Sequence, residues 1–246
     1  MFFKEKYIIW MIISISFLTI LIFSLINEPW SLIVVAILSS IVSSFAVSAF
    51  YNMELHNTMD KYEKIGMVDY FETFEEAQEV IRKKIEKAKK VEIYLMYGST
   101  FFKSNSTTLK QFLAKTNSSL TIFLYNTNNP FIDSYGNHWS KDIAGDEYNS
   151  KSIVKLIEQV KSNLSSFTEL GKNSSFEIFE IIESPISYSY YIVDDYLFFV
   201  PSKNTRSKNL KPPVLFFKKT RNKKTMYYKI QKEIELMKSS NELKKI

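Results

Sequence analysis

Between residues 187 and 204 the chain gathers six side chains with usable chemistry: the hydroxyls of Ser187, Ser189 and Ser202, the carboxylate of Asp194, the ammonium of Lys203 and the amide of Asn204. Hydroxyl and amide donors beside one cation can hold phosphate oxygens. Bond cleavage asks for more, a nucleophile with a base in reach. A serine next to another serine in this segment has no such base, and the only histidines, His56 and His138, lie elsewhere in the chain. The chemistry on offer is binding, with no catalytic residue and no metal ligand set. The residues between these groups say how they are presented. Tyr188 to Val193 and Tyr196 to Val200 read as two short strands, and Asp194-Asp195 as the tight turn joining them. On a purely structural reading the aspartates serve the turn, Ser202 and Asn204 cap the following loop, and Tyr188, Tyr190 and Tyr191 are core.

The spacing resembles the signature of the phospholipase D superfamily: His-x-Lys, four residues, Asp, six residues, Gly-Ser-x-Asn. Asp194, Ser202 and Asn204 stand at the Asp, Ser and Asn positions. Ser187 stands where the nucleophilic His belongs, Ser189 where the Lys belongs, and Pro201 where the Gly belongs. The resemblance covers about residues 67–240 and is sharp only at 187–204. It implies a layered phospholipase D-like fold with a cleft built on this hairpin. It also implies loss of phosphodiesterase activity, because the family's imidazole nucleophile and phosphate-holding ammonium are both replaced. What remains is a vestigial ligand-binding cleft of Ser187, Ser189, Asp194, Ser202, Lys203 and Asn204.

The elements around the hairpin follow from periodicity. Thr73 with Glu76 forms a capping box ahead of a helix with Phe74, Ala77, Ile81, Ile85 and Ala88 on one face. Val91–Tyr97 reads as a strand, Ser106–Lys115 as a helix and Leu120–Tyr125 as a strand. Residues 126–149 read as a long polar loop holding His138, Lys151–Leu164 as a helix, and Phe176–Ile182 and Val214–Phe217 as strands. A basic helix over Lys223–Lys244, with Tyr227, Ile230, Ile234 and Met237 on one face, is expected either to close the core or to lie on the bilayer surface. Strands alternating with helices predict a mixed, largely parallel sheet in an α/β domain over residues 67–246.

Ahead of that domain, Tyr7–Ile26 and Trp30–Tyr51 are two uncharged runs broken at Asn27-Glu28-Pro29. About 20 residues at ~1.5 Å rise span a bilayer core, so residues 1–51 are expected to form a two-helix transmembrane hairpin (7–26 and 30–51), followed by a stalk at 52–66 with Leu55, Met59 and Tyr62 in one seam. Lys4 and Lys6 before the first run, and Lys61 and Lys64 after the second, put both termini in the cytoplasm. Ala36, Ser40, Ser44 and Ser48 recur every four residues, a small-residue face suited to close association of helices in the membrane. No ionisable group lies in either run, which disfavours a proton relay.

Composition narrows the rest. There is no cysteine, hence no disulfide framework or thiolate metal site, and five glycines with no Walker or dinucleotide fingerprint exclude a Gly-rich phosphate loop. The net charge of +6 is concentrated at the end: from Lys203 onward there are 14 Lys and Arg against 3 Glu, which suits anionic lipid or nucleic acid. No cofactor is expected. A short transmembrane pair fused to one soluble module resembles the effectors of bacterial anti-phage systems such as retrons and cyclic-nucleotide immunity. That organisation implies an inner-membrane effector with the lipid bilayer as partner, self-association into a homo-oligomer, and a cytosolic protein, nucleotide or nucleic acid as trigger. The alternatives are a membrane-tethered phosphodiesterase or phospholipase using Ser187 or His138, and a non-toxic nucleic-acid or nucleotide-binding module.

Overall fold

The computed structural model describes residues 13–22, 24, 29–140, 149–168, 174–185, 187–202 and 211–246. The chain divides into two compact units, residues 1–62 and 63–246.

In the first unit, α1 (Ile13–Ile22) is a short apolar helix. Helix α2 (Pro29–Ile65) opens on a proline, whose missing N–H costs nothing in a first turn. From Leu32 onward it is long and apolar enough to cross a membrane. Two of its hydroxyls are satisfied within the helix, Ser39 Oγ donating to the Val35 carbonyl at 2.6 Å and Ser44 Oγ to the Ser40 carbonyl at 2.9 Å. Ala36, Ser40, Ser44 and Ser48 are all exposed. The structure therefore has one helix of spanning length among the described residues, where two were expected; residues 7–12, 23 and 25–28 of the first run and its turn lie outside them. The stalk, expected as a helix leaving the membrane, is the continuation of α2, since nothing between Tyr51 and Ile65 breaks the helical pattern. Gly66, at φ +78°, ends the helix.

The second unit is built on β1 (Met67–Phe71), α3 (Phe74–Ile85), β2 (Lys90–Tyr94), α4 (Ser99–Leu113), β3 (Ser119–Tyr125), α5 (Phe131–Ser140), α6 (Ser150–Ser165), β4 (Ser175–Ile181), β5 (Tyr188–Val193), β6 (Tyr196–Pro201), β7 (Val214–Lys218), α7 (Met226–Ser239) and β8 (Leu243–Lys245). The strands form one sheet in the order β1-β7-β6-β5-β2-β3-β4-β8. Only β2–β3 and β3–β4 pair in parallel. The other pairings are antiparallel, so the sheet is mixed but largely antiparallel, correcting the expected parallel majority. Helical crossovers over β2–β3–β4 do give parallel neighbours. The direct links β5–β6 and β6–β7 cannot, because a parallel pair needs a long crossover.

Both faces of the sheet are covered, and the central strands alternate between two cores. Leu120, Ile122 and Leu124 of β3 pack with Ile81 and Ile85 of α3 and Leu109 and Phe112 of α4. Phe123 and Tyr125 face the other way, into a core closed by Tyr227, Ile230, Ile234 and Met237 of α7. Burying each such α7 side chain contributes about 1.5–3 kcal/mol, enough to hold a strongly basic helix on the domain.

Local chemistry explains the remaining boundaries. Thr73 Oγ1 accepts from the Glu76 N–H at 3.3 Å, while the Glu76 carboxylate accepts from Glu72 N–H at 3.1 Å, so the expected box closes one residue early. The expected loop 126–149 contains α5. Buried Asn129 anchors its start, donating to the Ile181 carbonyl at 3.0 Å and accepting from Phe131 N–H at 2.9 Å. The C-terminal helix stops at Ser239, not Lys244. Asn241 turns the chain at φ +61° and β8 pairs with β4.

Candidate ligand-binding cleft

The hairpin β5–β6 sets the site. Its register pairs Val193 with Tyr196 at the tip and Tyr188 with Pro201 at the open end. Asp194 holds the tip at φ +50°, a left-handed conformation that aspartate tolerates better than most residues. Its carboxylate accepts from the backbone N–H of Lys90 at 2.8 Å and of Lys89 at 3.0 Å, and its carbonyl accepts from the Tyr227 hydroxyl at 2.9 Å. Asp194 thus ties the hairpin to the start of β2 and to α7. At the other end the Ser202 N–H donates to the Ser187 carbonyl at 2.8 Å, and Ser189 lies opposite Val200.

The six residues gathered by the sequence are therefore split. Ser187, Ser189 and Ser202 come together at the open end, while Asp194 sits about 16 Å along the strand from Ser189 at ~3.3 Å per residue. Asp194 is not a cleft residue. Lys203 and Asn204 lie outside the described residues.

A cavity of about 280 Å³ opens at this end, with Ser189 and Ser202 on one wall and Ser99 and Thr100, the first residues of α4, on another. Ser187 is exposed beside it and does not line it. Helix α4 starts here because Gly98 adopts φ +65°. A Cβ on Gly98 would lie 2.4 Å from Leu95 Cδ1 and 2.9 Å from the Phe102 ring, so only glycine lets the chain turn from β2 into the helix. The first bond of the helix runs from Phe102 N–H to the Gly98 carbonyl. The N–H groups of Ser99, Thr100 and Phe101 precede it and have no acceptor within the helix, leaving a partial positive charge at the cavity wall. The floor is aromatic: Phe74 stacks on Tyr191 at 5.4 Å between centroids, and Phe101 lies 4.6 Å from Tyr191. Burial pushes the Tyr191 phenol far above its ordinary range, so it stays neutral.

Among the described residues lining the cavity none is charged. Hydroxyls, helix N–H groups and an aromatic floor can bind an anionic or polar group. They hold no base to activate a serine. Neither His138, on α5, nor His56, on α2, lines the cavity. No group of three His, Cys, Asp or Glu among the described residues is placed to hold a metal ion.

The α4 contribution was missed from the sequence, where the helix was expected to begin at Ser106. A usable signal was present: Gly98-Ser99-Thr100 directly after a strand is a strand-to-helix turn rich in donors. The hairpin tyrosines divide by face. Tyr191 joins the floor, whereas Tyr188 and Tyr190 point to the opposite core, where Tyr190 stacks on Tyr94 at 5.1 Å and 5°.

Comparison with known proteins adds little to this geometry. No family model matches the sequence, and no curated protein matches it. Among solved structures the chain is similar to TrmBL2, an archaeal chromatin protein whose structure is described as showing a novel mode of DNA binding. The two share 8% identity over 82% of this chain and 64% of that one, with a TM-score of 0.43. The chain thus spans less than two thirds of that structure, and a likeness this loose carries no argument about function.

Proposed function

We propose that the chain is a membrane-anchored effector whose soluble unit is a catalytically inactive, phospholipase D-like sensor. The observation that carries the proposal is the cleft at the open end of the hairpin. It is lined by Ser189 and Ser202, which stand at the Lys and Ser positions of the resembled motif, offers hydroxyl and N–H donors, and is lined by no described base or cation. Such a site binds and does not cleave. Helix α2 supplies the anchor, and the apolar run around α1 supplies the second span of a transmembrane hairpin with both termini in the cytoplasm. Ligand in the cleft is the trigger. Association through the exposed face of Ala36, Ser40, Ser44 and Ser48, forming a homo-oligomer that perturbs the bacterial inner membrane in anti-phage defence, is the response.

Expression of the full chain in bacteria, with membrane potential followed by a voltage-sensitive dye before and during phage infection, tests the proposal. Depolarisation that depends on an open cleft, and so disappears in Ser189→Phe protein present at normal levels in the membrane, is the expected outcome. Harmless expression under both conditions overturns the effector role. Turnover of a phosphodiester by the purified chain overturns the sensor's inactivity.

A further inference from the structure

A second cavity, of about 440 Å³, lies between α4 and α6 and shares Ser99 with the cleft. Its α4 wall is one helix face, Ser99, Ser106 and the lysines Lys103 and Lys110, spaced by four, three and four residues. Facing them from α6 are the amides of Gln159 and Asn163. Every polar group named here offers a donor, and no described residue lining the groove carries a carboxylate. Neither lysine is paired with a carboxylate among the described residues, and Lys110 Nζ lies 5.7 Å from the centre of the Phe167 ring, held over the groove floor. Seven residues of helix put the two ammonium-bearing positions about 10 Å apart, the span of a short polyphosphate. Two cations in a groove whose described lining holds no counter-charge leave a local field that a multiply charged anion would neutralise.

We propose that the α4–α6 groove binds the polyphosphate part of the ligand, and that the cleft across Ser99 takes its uncharged or aromatic part. This makes the ligand class a nucleoside polyphosphate or a close chemical relative. The inference rests on the cleft being a binding site only for the second of these two parts. It also accounts for a cleft without described cations: the positive charge stands on the adjoining helix face, reached past the N-terminus of α4.

The test is calorimetric titration of the full-length protein in detergent at fixed ionic strength, with inorganic tripolyphosphate and with ATP. Tripolyphosphate should bind the parent chain and bind the Lys103→Ala/Lys110→Ala double variant at least tenfold more weakly. Lys229→Ala/Lys232→Ala, which removes the same charge from the exposed side of α7, should bind as the parent does. Absence of tripolyphosphate binding, or equal losses in the two double variants, overturns the groove assignment. ATP should bind more tightly than tripolyphosphate, and Ser189→Phe should erase that difference while leaving tripolyphosphate affinity unchanged. A missing difference strikes at the cleft as a binding site and leaves the groove result standing, so the two failures are told apart.

Discussion

Asp194 and Lys90 are joined in both directions, the Asp194 carboxylate accepting from Lys90 N–H at 2.8 Å and the Asp194 N–H donating to the Lys90 carbonyl at 2.8 Å. An aspartate that sequence spacing assigned to a phosphate cleft instead fastens a hairpin tip to the first residue of the neighbouring strand. Asp194→Ala removes charge-assisted bonds and leaves a non-glycine residue at positive φ without its compensation. It should lower stability by about 2–3 kcal/mol. Asp194→Asn, which keeps an acceptor and tolerates the conformation, should lose less. Thermal unfolding of both variants checks the order, and ligand affinity at the cleft should survive in each below its unfolding transition.

The Tyr190 hydroxyl is buried with no hydrogen-bond partner among the described residues. Burying such a group carries a desolvation penalty with no return, and the Tyr94–Tyr190 stack depends on the ring alone. Tyr190→Phe should therefore stabilise the protein by about 1 kcal/mol, read as a raised unfolding midpoint. A fall in the midpoint would show that the hydroxyl has a partner after all.

Buried phenols make the fold sensitive to alkali. Burial, reinforced by the carboxylate of Asp195, raises Tyr227 to about 12, and burial pushes Tyr94, Tyr188 and Tyr191 higher still and Tyr190 well above its ordinary value. In the unfolded chain these groups ionise near pH 10. Above that the native state holds more protons than the unfolded state, so the stability is intact below about pH 10 and falls as pH rises through the folded values. Tyr227→Phe should reduce the slope between about pH 10 and 12 by up to ~1.4 kcal/mol per pH unit. At neutral pH the same change should cost about 1 kcal/mol through loss of the hydrogen bond to the Asp194 carbonyl. Denaturant unfolding across the alkaline range measures both effects.

Lys161 and Glu180 form a largely buried ion pair, with the Asn126 amide donating to the second Glu180 oxygen at 2.5 Å. Lys161→Met strands the carboxylate and should cost about 3 kcal/mol, whereas Lys161→Met with Glu180→Leu should recover most of it. A double-mutant cycle in denaturant separates the pair's coupling from simple loss of packing.

The small-residue face of α2 gives a prediction about association. Ser40→Leu with Ser44→Leu puts branched bulk where the proposed contact needs backbones to approach closely, without breaking either bilayer insertion or the helix. Membrane-fraction recovery should be unchanged, while cross-linking of the full chain in membranes should shift from multimer to monomer. An unchanged cross-linking ladder would count against oligomerisation through this face.

Much of the molecule was legible along the chain, because the signals are local. The apolar run beginning at Leu32 has the length and composition of a spanning helix, the Asp194-Asp195 pair between aromatic strands is a turn, and the periodic burial of α3, α6 and α7 follows from spacing alone. The sequence by itself also determined that Ser187 and Ser189, and no His-x-Lys pair, precede Asp194, so this segment offers no imidazole nucleophile. Tertiary structure alone decided which polar groups share a cleft. Antiparallel pairing of β2 with β5, Tyr94 opposite Tyr190, brings the turn at Gly98 and the start of α4 beside Ser189 and sends Asp194 to the far end of the same ladder. Strand pairing joins residues nearly a hundred positions apart through backbone hydrogen bonds that any side chain can make, so spacing within one segment carries no record of it.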